Sequence, residues 1–387
     1  MKKKQLDYFF SIYEKNIIPN IFSQINCQEP KEVVINSDYI KEEVNTSSII
    51  YSIMFVPDYL DPKIDETVFG CKSVRQFFKG YAIFFKGFDT VDSYIKNRFK
   101  RKAKNLRRTL RRLETCFNIS YKTFYGEIEK EQYDFLMKSL QEMLVRRFEQ
   151  RNDVSKALLR WDHYHETFFS LINDKKASLF VIYADDVPIV VALNNHFEKR
   201  MFSAVSSYDI DYSKFGLGTI EIYKNLDWCI TNQYDSYEMG MGDMQYKKEW
   251  CNHIYTFEHR IIYPKKSLSC RLHGTKEYIK VAFKEFVFKI AYQSYNALKL
   301  KFKKQESKEE SFEIFSLDKI QQQGEEHTLI DYTTEAYSFL RKPVLDFLFS
   351  ATEHISNIKV LECNKDPRSY IIQGTSKAQK VTFYAYN

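Results

Sequence analysis

Residues 177–208, ASLFVIYADDVPIVVALNNHFEKRMFSAVSSY, constrain this chain more than any other stretch. Apolar and β-branched residues fall in three consecutive strand-like blocks, the first two joined across Asp185, Asp186 and Val187, and breaks that short permit only an antiparallel meander. The third block runs into a short glycine-bearing loop and a helix, SKFGLGTIEIYKNLDWCI, and then into the strand-like SYEMGMG and IYTFEHRIIYP. Upstream, CFNISYKTFYGE alternates as a strand, while EKEQYDFLMKSLQEMLVRRF and the stretch around WDHYHETFFSLIND carry helical periodicity. The order strand, helices, three strands, glycine loop, helix, strand, strand reads as one α/β unit.

The rest of the chain divides around it. With 387 residues the chain exceeds one ordinary core. Residues 1–95 mix short apolar runs with Pro57, Pro62, Gly70 and Gly80 and read as a first α/β unit. In the next segment Phe99, Ala103, Leu106, Leu110 and Leu113 recur as the stripe of an amphipathic helix. Residues 96–264 then form the core unit, and 265–305 a basic helix, with Ile279, Phe283, Phe286, Val287 and Ile290 on one side, and a linker that includes the charged KKQESKEESFE. Residues 306–387 read as a small α+β appendage that could be deleted after Lys304 without unfolding the core.

Bulk properties exclude several classes. Hydrophobic residues make up 44% of the chain and aromatics 16%, which leaves little room for long disorder. No window reaches the roughly 18 uncharged apolar residues of a spanning helix, and the basic start acquires Asp7 and Glu14 before an apolar run forms. Seven scattered cysteines without a CxxC spacing read as reduced thiols in a cytoplasm. The net charge is +7, yet Lys96–Arg112 alone holds ten cations and no acid, so the remainder is acidic by three. His163 and His165 have no ligand partner at metal spacing, and no GxSxG or GxxxxGK[ST] occurs.

The loop Ser213, Lys214, Phe215, Gly216, Leu217, Gly218, Thr219 has the makings of an anion site. A helix start offers unpaired N–H groups and a positive dipole end, and glycine lets a diphosphate approach the backbone. With only 11 glycines in the chain, two here and two more at Gly240 and Gly242 are a concentration. The Lys/Arg-rich helix, FGLGTIEIYKNLDWCI and YEMGMGDMQYKKEW together resemble the GNAT-like domain of the CelD/BcsL group of acyltransferases, which is related to the FemABX transferases. The resemblance covers a little under half the chain. It implies a mixed, mostly antiparallel, splayed sheet flanked by helices, with residues 1–95 a further α/β unit or a degenerate GNAT-like half. It also implies acyl-CoA as donor, its pyrophosphate on residues 213–219. Ser213 stands where acetyltransferases carry Gln or Arg, which keeps aminoacyl-tRNA open as the donor; Lys214 could supply the missing charge.

Acyl transfer to an amine needs a base for the amine and an acid for the thiolate. Tyr246, just after SYEMGMG, suits the acid, because a phenol and a thiol differ little in acidity. Glu238 and Asp243 flank the glycines and are the candidate bases, with helix capping as the alternative for Asp243. Lys247 is the substrate-binding candidate, with nothing in the sequence to suggest its burial. Three functions follow: an N-acyltransferase acting on an amine or amino sugar, with no metal; a tRNA-dependent transferase; and a non-enzymatic binder of nucleic acid or a membrane surface that uses the basic helices.

Overall fold

The computed structural model describes residues 2–41, 49–99, 102–302, 312–317, 327–364 and 366–384. Most of the charged linker read from the sequence, 303–311, lies outside them. The strands are β1 (Lys3–Asp7), β2 (Gln24–Cys27), β3 (Glu32–Ile35), β4 (Ile50–Pro57), β5 (Leu60–Lys63), β6 (Phe69–Phe84), β7 (Ile119–Phe124), β8 (Ala177–Ala184), β9 (Val187–Phe197), β10 (Arg200–Tyr208), β11 (Ser236–Met241), β12 (His253–Pro264), β13 (Phe312–Leu317), β14 (His327–Ile330), β15 (Lys359–Cys363), β16 (Ser369–Gln373) and β17 (Ala378–Phe383). The helices are α1 (Tyr8–Tyr13), α2 (Val91–Phe99), α3 (Lys102–Cys116), α4 (Lys130–Gln150), α5 (Trp161–Asn173), α6 (Leu217–Thr231), α7 (Gln245–Trp250), α8 (Leu268–Phe302) and α9 (Arg341–Ala351).

Nine strands form one sheet in the order β1-β4-β12-β6-β11-β10-β9-β8-β7. Only β1 with β4 and β10 with β11 pair in parallel; every other pairing is antiparallel. The meander β8-β9-β10 is as the sequence implies, and its first turn holds Asp185 and Asp186 at φ 48 and 67, the left-handed pair that a two-residue hairpin needs. The parallel β10 and β11 cannot be joined by a hairpin, so α6 crosses between them. Residues 1–95 and 96–264 share this sheet: β6 lies between β12 and β11.

Side chains alternate between the two faces, and each face has its own core. Met201, Tyr237 and Met239 pack with Ile222 and Leu226 of α6, whereas Leu193, Val191 and Val205 pack with Leu136, Leu140 and Leu144 of α4. The stripe of α3 buries Ala103, Leu106 and Leu113. The C-terminal strands form a separate antiparallel sheet, β13-β17-β16-β15-β14. Its helix α9 is joined to the main body by apolar contact: Leu340, Val344, Phe347 and Leu348 share one buried cluster with Leu113, Phe117, Phe180, Ile182, Phe215 and Leu217.

Deletion after Lys304 would therefore uncover several fully buried large side chains. At roughly 2 kcal/mol each, the loss is about 10 kcal/mol, comparable to the whole stability of a domain. The expected outcome is aggregation of the truncated chain on expression; a monodisperse, cooperatively melting truncation would show that the cluster is dispensable.

Candidate active site

The site is built where β10 and β11 part. They pair over three residues only, Arg200↔Ser236, Met201↔Tyr237 and Phe202↔Glu238. Just beyond, both strands change register against their outer neighbours, β10 between Ser203 and Val205 and β11 between Glu238 and Gly240. A bulge bends its strand and raises its twist, so two at one level drive the strands apart. Gly240 is required there: its φ is 66, and a Cβ would stand 3.0 Å from the Phe202 ring. The open carbonyls of β11 find a cation instead of a strand, because Lys247 Nζ takes Met239 O at 2.7 Å and Met241 O at 2.6 Å. Contrary to the sequence reading, Lys247 is thus buried, and burial lowers its pKa.

At the mouth of the opening stands the N-terminus of α6. Gly216 adopts φ 62, a left-handed corner at which the turn Ile210–Phe215 ends and the helix begins. Gly216 N bonds to Ser213 O and Thr219 N to Gly216 O, while the N–H groups of Leu217 and Gly218 have no partner among the described residues. Phe215 and Leu217 turn their side chains into the core, so only backbone faces outward there. Ser213 and Thr219 are exposed. Lys214 lies 3.3 Å from Asp346 of α9. The turn is held by four charges: Arg146 and Arg341 both pair with Asp209 and Asp211, at 2.5 to 3.4 Å. Helix α3 flanks it, with Thr109 3.6 Å from where a Gly216 Cβ would be. That helix exposes Lys104, Arg108 and Arg111 without an acid partner among the described residues.

Inside the opening the structure brings Tyr246 together with a residue absent from the sequence candidates, Glu221 of α6. Glu221 is buried; desolvation pushes its carboxyl up to about 7, against the pull of Ser206 and Arg147. Tyr246 is 45% exposed, yet burial, with Glu221 adding to it, raises its hydroxyl to about 12, so the ring edge meets solvent and the hydroxyl points inward. Tyr237, fully buried, faces Ser203, Glu221 and Tyr246, and its hydroxyl makes no well-formed hydrogen bond among the described residues. Arg147 closes the edge, its guanidinium 4.6 Å from the Tyr208 ring. A signal for Glu221 existed in the sequence: it sits within the apolar stripe Leu217, Ile220, Leu226, where an acid is out of place.

Glu238 lies on the other face. It is fully buried, and desolvation brings its carboxyl up to about 7 although Tyr59 OH donates at 2.7 Å and Gly240 N at 2.8 Å. Tyr59 also lines a cavity of about 850 Å³ with Phe84, Phe88, Tyr234, Asp235 and His253. There the buried His253 Nε2 and Asp235 Oδ2 have no partner among the described residues. Asp243 is apart from both carboxyls: Lys248 at 2.6 Å and Tyr81 OH at 2.6 Å hold it low. The cap of α7 is Met244, so Asp243 does not fill that role either.

Glu221 and Glu238 give the protein a distinctive pH response. Each binds its proton more tightly folded, near 7, than unfolded, near 4.5. Stability therefore falls as pH rises from about 4.5 to 7, by about 3 kcal/mol per group. Thermal melts at pH 5 and pH 8 should show a higher Tm at pH 5, and Glu221→Gln or Glu238→Gln should each narrow the gap; an unchanged gap in both variants would mean that neither carboxyl is protonated in the fold.

Among the described residues no group of side chains could hold a metal ion, and no helix is long and apolar enough to cross a membrane. No curated protein is significantly similar to the chain. Of solved structures, L-PGS from Bacillus licheniformis is 12% identical over 60% of this chain and 75% of its own, with a TM-score of 0.38. FemX is 10% identical over 46% and 61%, with 0.36. A GCN5-related N-acetyltransferase from Sphaerobacter thermophilus is 8% identical over 56% and 60%, with 0.28. Residues 100–248, from the basic helix to α7, match the family model of the acetyltransferase (GNAT) domain.

Proposed function

We propose that the chain is an N-acyltransferase that moves an acyl group from acyl-CoA to an amine. The observation that carries this is the parting of β10 and β11 with an uncapped helix N-terminus at its mouth. Two free N–H groups and the dipole suit a pyrophosphate, Gly218 lets it come close, and the opening beyond the three paired residues is where the pantetheine arm would run. Lys104, Arg108 and Arg111 are at hand for the remaining phosphate.

The two faces then divide the chemistry. The amine nitrogen attacks the thioester carbonyl, the C–N bond forms and the C–S bond breaks. Glu238, with a carboxyl near 7, takes the amine proton. Tyr246 gives its proton to the departing thiolate and recovers one through Glu221, its neighbour in the opening. The acceptor enters from the cavity lined by Tyr59, whose hydroxyl donates to Glu238; its aromatic walls and the spare acceptors Asp235 and His253 suit an amino sugar. Asp243 has no part in this scheme, and Lys247 holds the bend of β11. The CelD/BcsL group remains the family in which such a protein fits.

A second reading, an aminoacyl-tRNA donor, draws on the basic helix beside the loop and on Ser213 in place of Gln or Arg. Its mark would be donor binding that falls steeply with salt, whereas CoA, with far fewer phosphates, loses much less.

Two variants separate donor binding from chemistry. Gly218→Val puts a branched side chain against Tyr208, already 3.4 Å from the Cβ position, and covers the N–H groups. CoA affinity should fall about tenfold or more, ~1.4 kcal/mol. Tyr246→Phe should spare CoA affinity and lower turnover about 10²-fold, and in the wild type turnover should peak near pH 7, rising as Glu238 ionises and falling as Glu221 loses the proton that it passes to Tyr246. Unchanged CoA affinity in a folded Gly218→Val protein would remove the loop from the site.

A further inference from the structure

Helix α8 packs on the sheet through one side only. Cys270 and Val281 are buried, Gly274 lies against Tyr263, and Phe288 and Tyr292 pack edge-on or tilted against Phe77 and Phe78 of β6. Its two acids in 268–292 are on this side and engaged: Glu277 pairs with Lys3, and Glu285 accepts from Gln76 and Phe77 N. The apolar stripe legible in the sequence faces outward. Leu272 is 64% exposed, Phe283 67% and Phe286 61%, and Leu268, Ile279 and Ile290 stand in the same row. At 100° per residue these positions fall within a sector of about 60°, a continuous apolar ridge some four turns or more in length.

Cations border that ridge. Lys276 and Lys280 lie along one flank and Arg271 and Lys289 along the other, with Lys284 further round toward the sheet; all five are exposed, and none has an ion-pair partner among the described residues. No acid shares the outer surface between 268 and 292. A second copy docking ridge to ridge would bring four flanking cations against four. A flat anionic surface satisfies both features, burying the ridge among acyl chains while the lysines snorkel to the headgroups.

We infer that α8 is a membrane-surface anchor, lying in the plane of a bilayer rich in anionic phospholipid with Leu272, Ile279, Phe283, Phe286 and Ile290 inserted below the headgroups. The protein would be held at the surface without crossing it, and the site would work on an acceptor delivered at that surface. This does not rest on the acyltransferase reading, since it follows from α8 alone.

The test is cosedimentation of the full-length protein with vesicles of phosphatidylcholine alone and of phosphatidylcholine with phosphatidylglycerol at about three to one. The wild type should pellet with the mixed vesicles and stay soluble with the neutral ones. Phe283→Ser/Phe286→Ser, whose side chains carry no internal packing, should weaken partition at least tenfold with an unchanged melt. So should the charge variant Lys276→Glu/Lys280→Glu, and raised salt should weaken the wild type too. Absence of wild-type binding to the mixed vesicles would overturn the inference. So would a wild-type dimer in light scattering that Phe283→Ser/Phe286→Ser dissolves, because the ridge would then be a contact between copies.

Discussion

The early end of the β10–β11 pairing is the constraint on which the rest depends. Three parallel residue pairs are formed, and then a bulge on each strand at the same level turns the two apart. A sheet that opens in its middle leaves backbone groups without partners, and each unmet group in a buried setting costs on the order of 1–3 kcal/mol. The chain meets this with a buried ammonium, Lys247, on two carbonyls of β11. Around the same gap it keeps two carboxyls in apolar surroundings, Glu221 on one face and Glu238 on the other. Costs of this kind, gathered in one place, mark a site.

The second constraint is the rigidity of the turn before α6. Asp209 and Asp211 are each shared between an arginine of α4 and one of α9, and Phe215 is packed between Phe117 and Phe349. The C-terminal residues thereby become part of the wall that fixes the helix start. An anion site made of backbone N–H groups works only if those groups stay aimed, and this clamp does that. The C-terminal sheet is in this sense a support of the candidate site, although it contributes no side chain to the opening.

The sequence made local features legible and long-range partners much less so. The meander, the glycine loop and the helices from 130 to 231 follow from periodicity and turn chemistry, which act over a few residues. That β6 would insert between β11 and β12, more than 150 residues away in the chain, is beyond any period of 2 or 3.6. The same limit explains Lys247, read as a surface cation because its burial depends on a bend in a neighbouring strand. It explains α8 as well: the apolar stripe of Ile279, Phe283 and Phe286 is plain in the sequence, but periodicity does not say whether a stripe faces a core or the outside. Glu221 is different. An acid inside the apolar stripe of α6 is visible in the sequence itself, because a carboxylate at a core-facing position is costly unless it has a role.

Amide hydrogen exchange of residues 216–220, with and without CoA, tests the donor slot most directly. The N–H groups of Leu217 and Gly218 have no partner among the described residues, so they should exchange fast and slow markedly when CoA is added, together with Ser206 to Tyr208 at the edge of the opening. CoA that binds and leaves those amides as fast as before, or that does not bind at all, would contradict the assignment of the opening between β10 and β11 to the acyl donor.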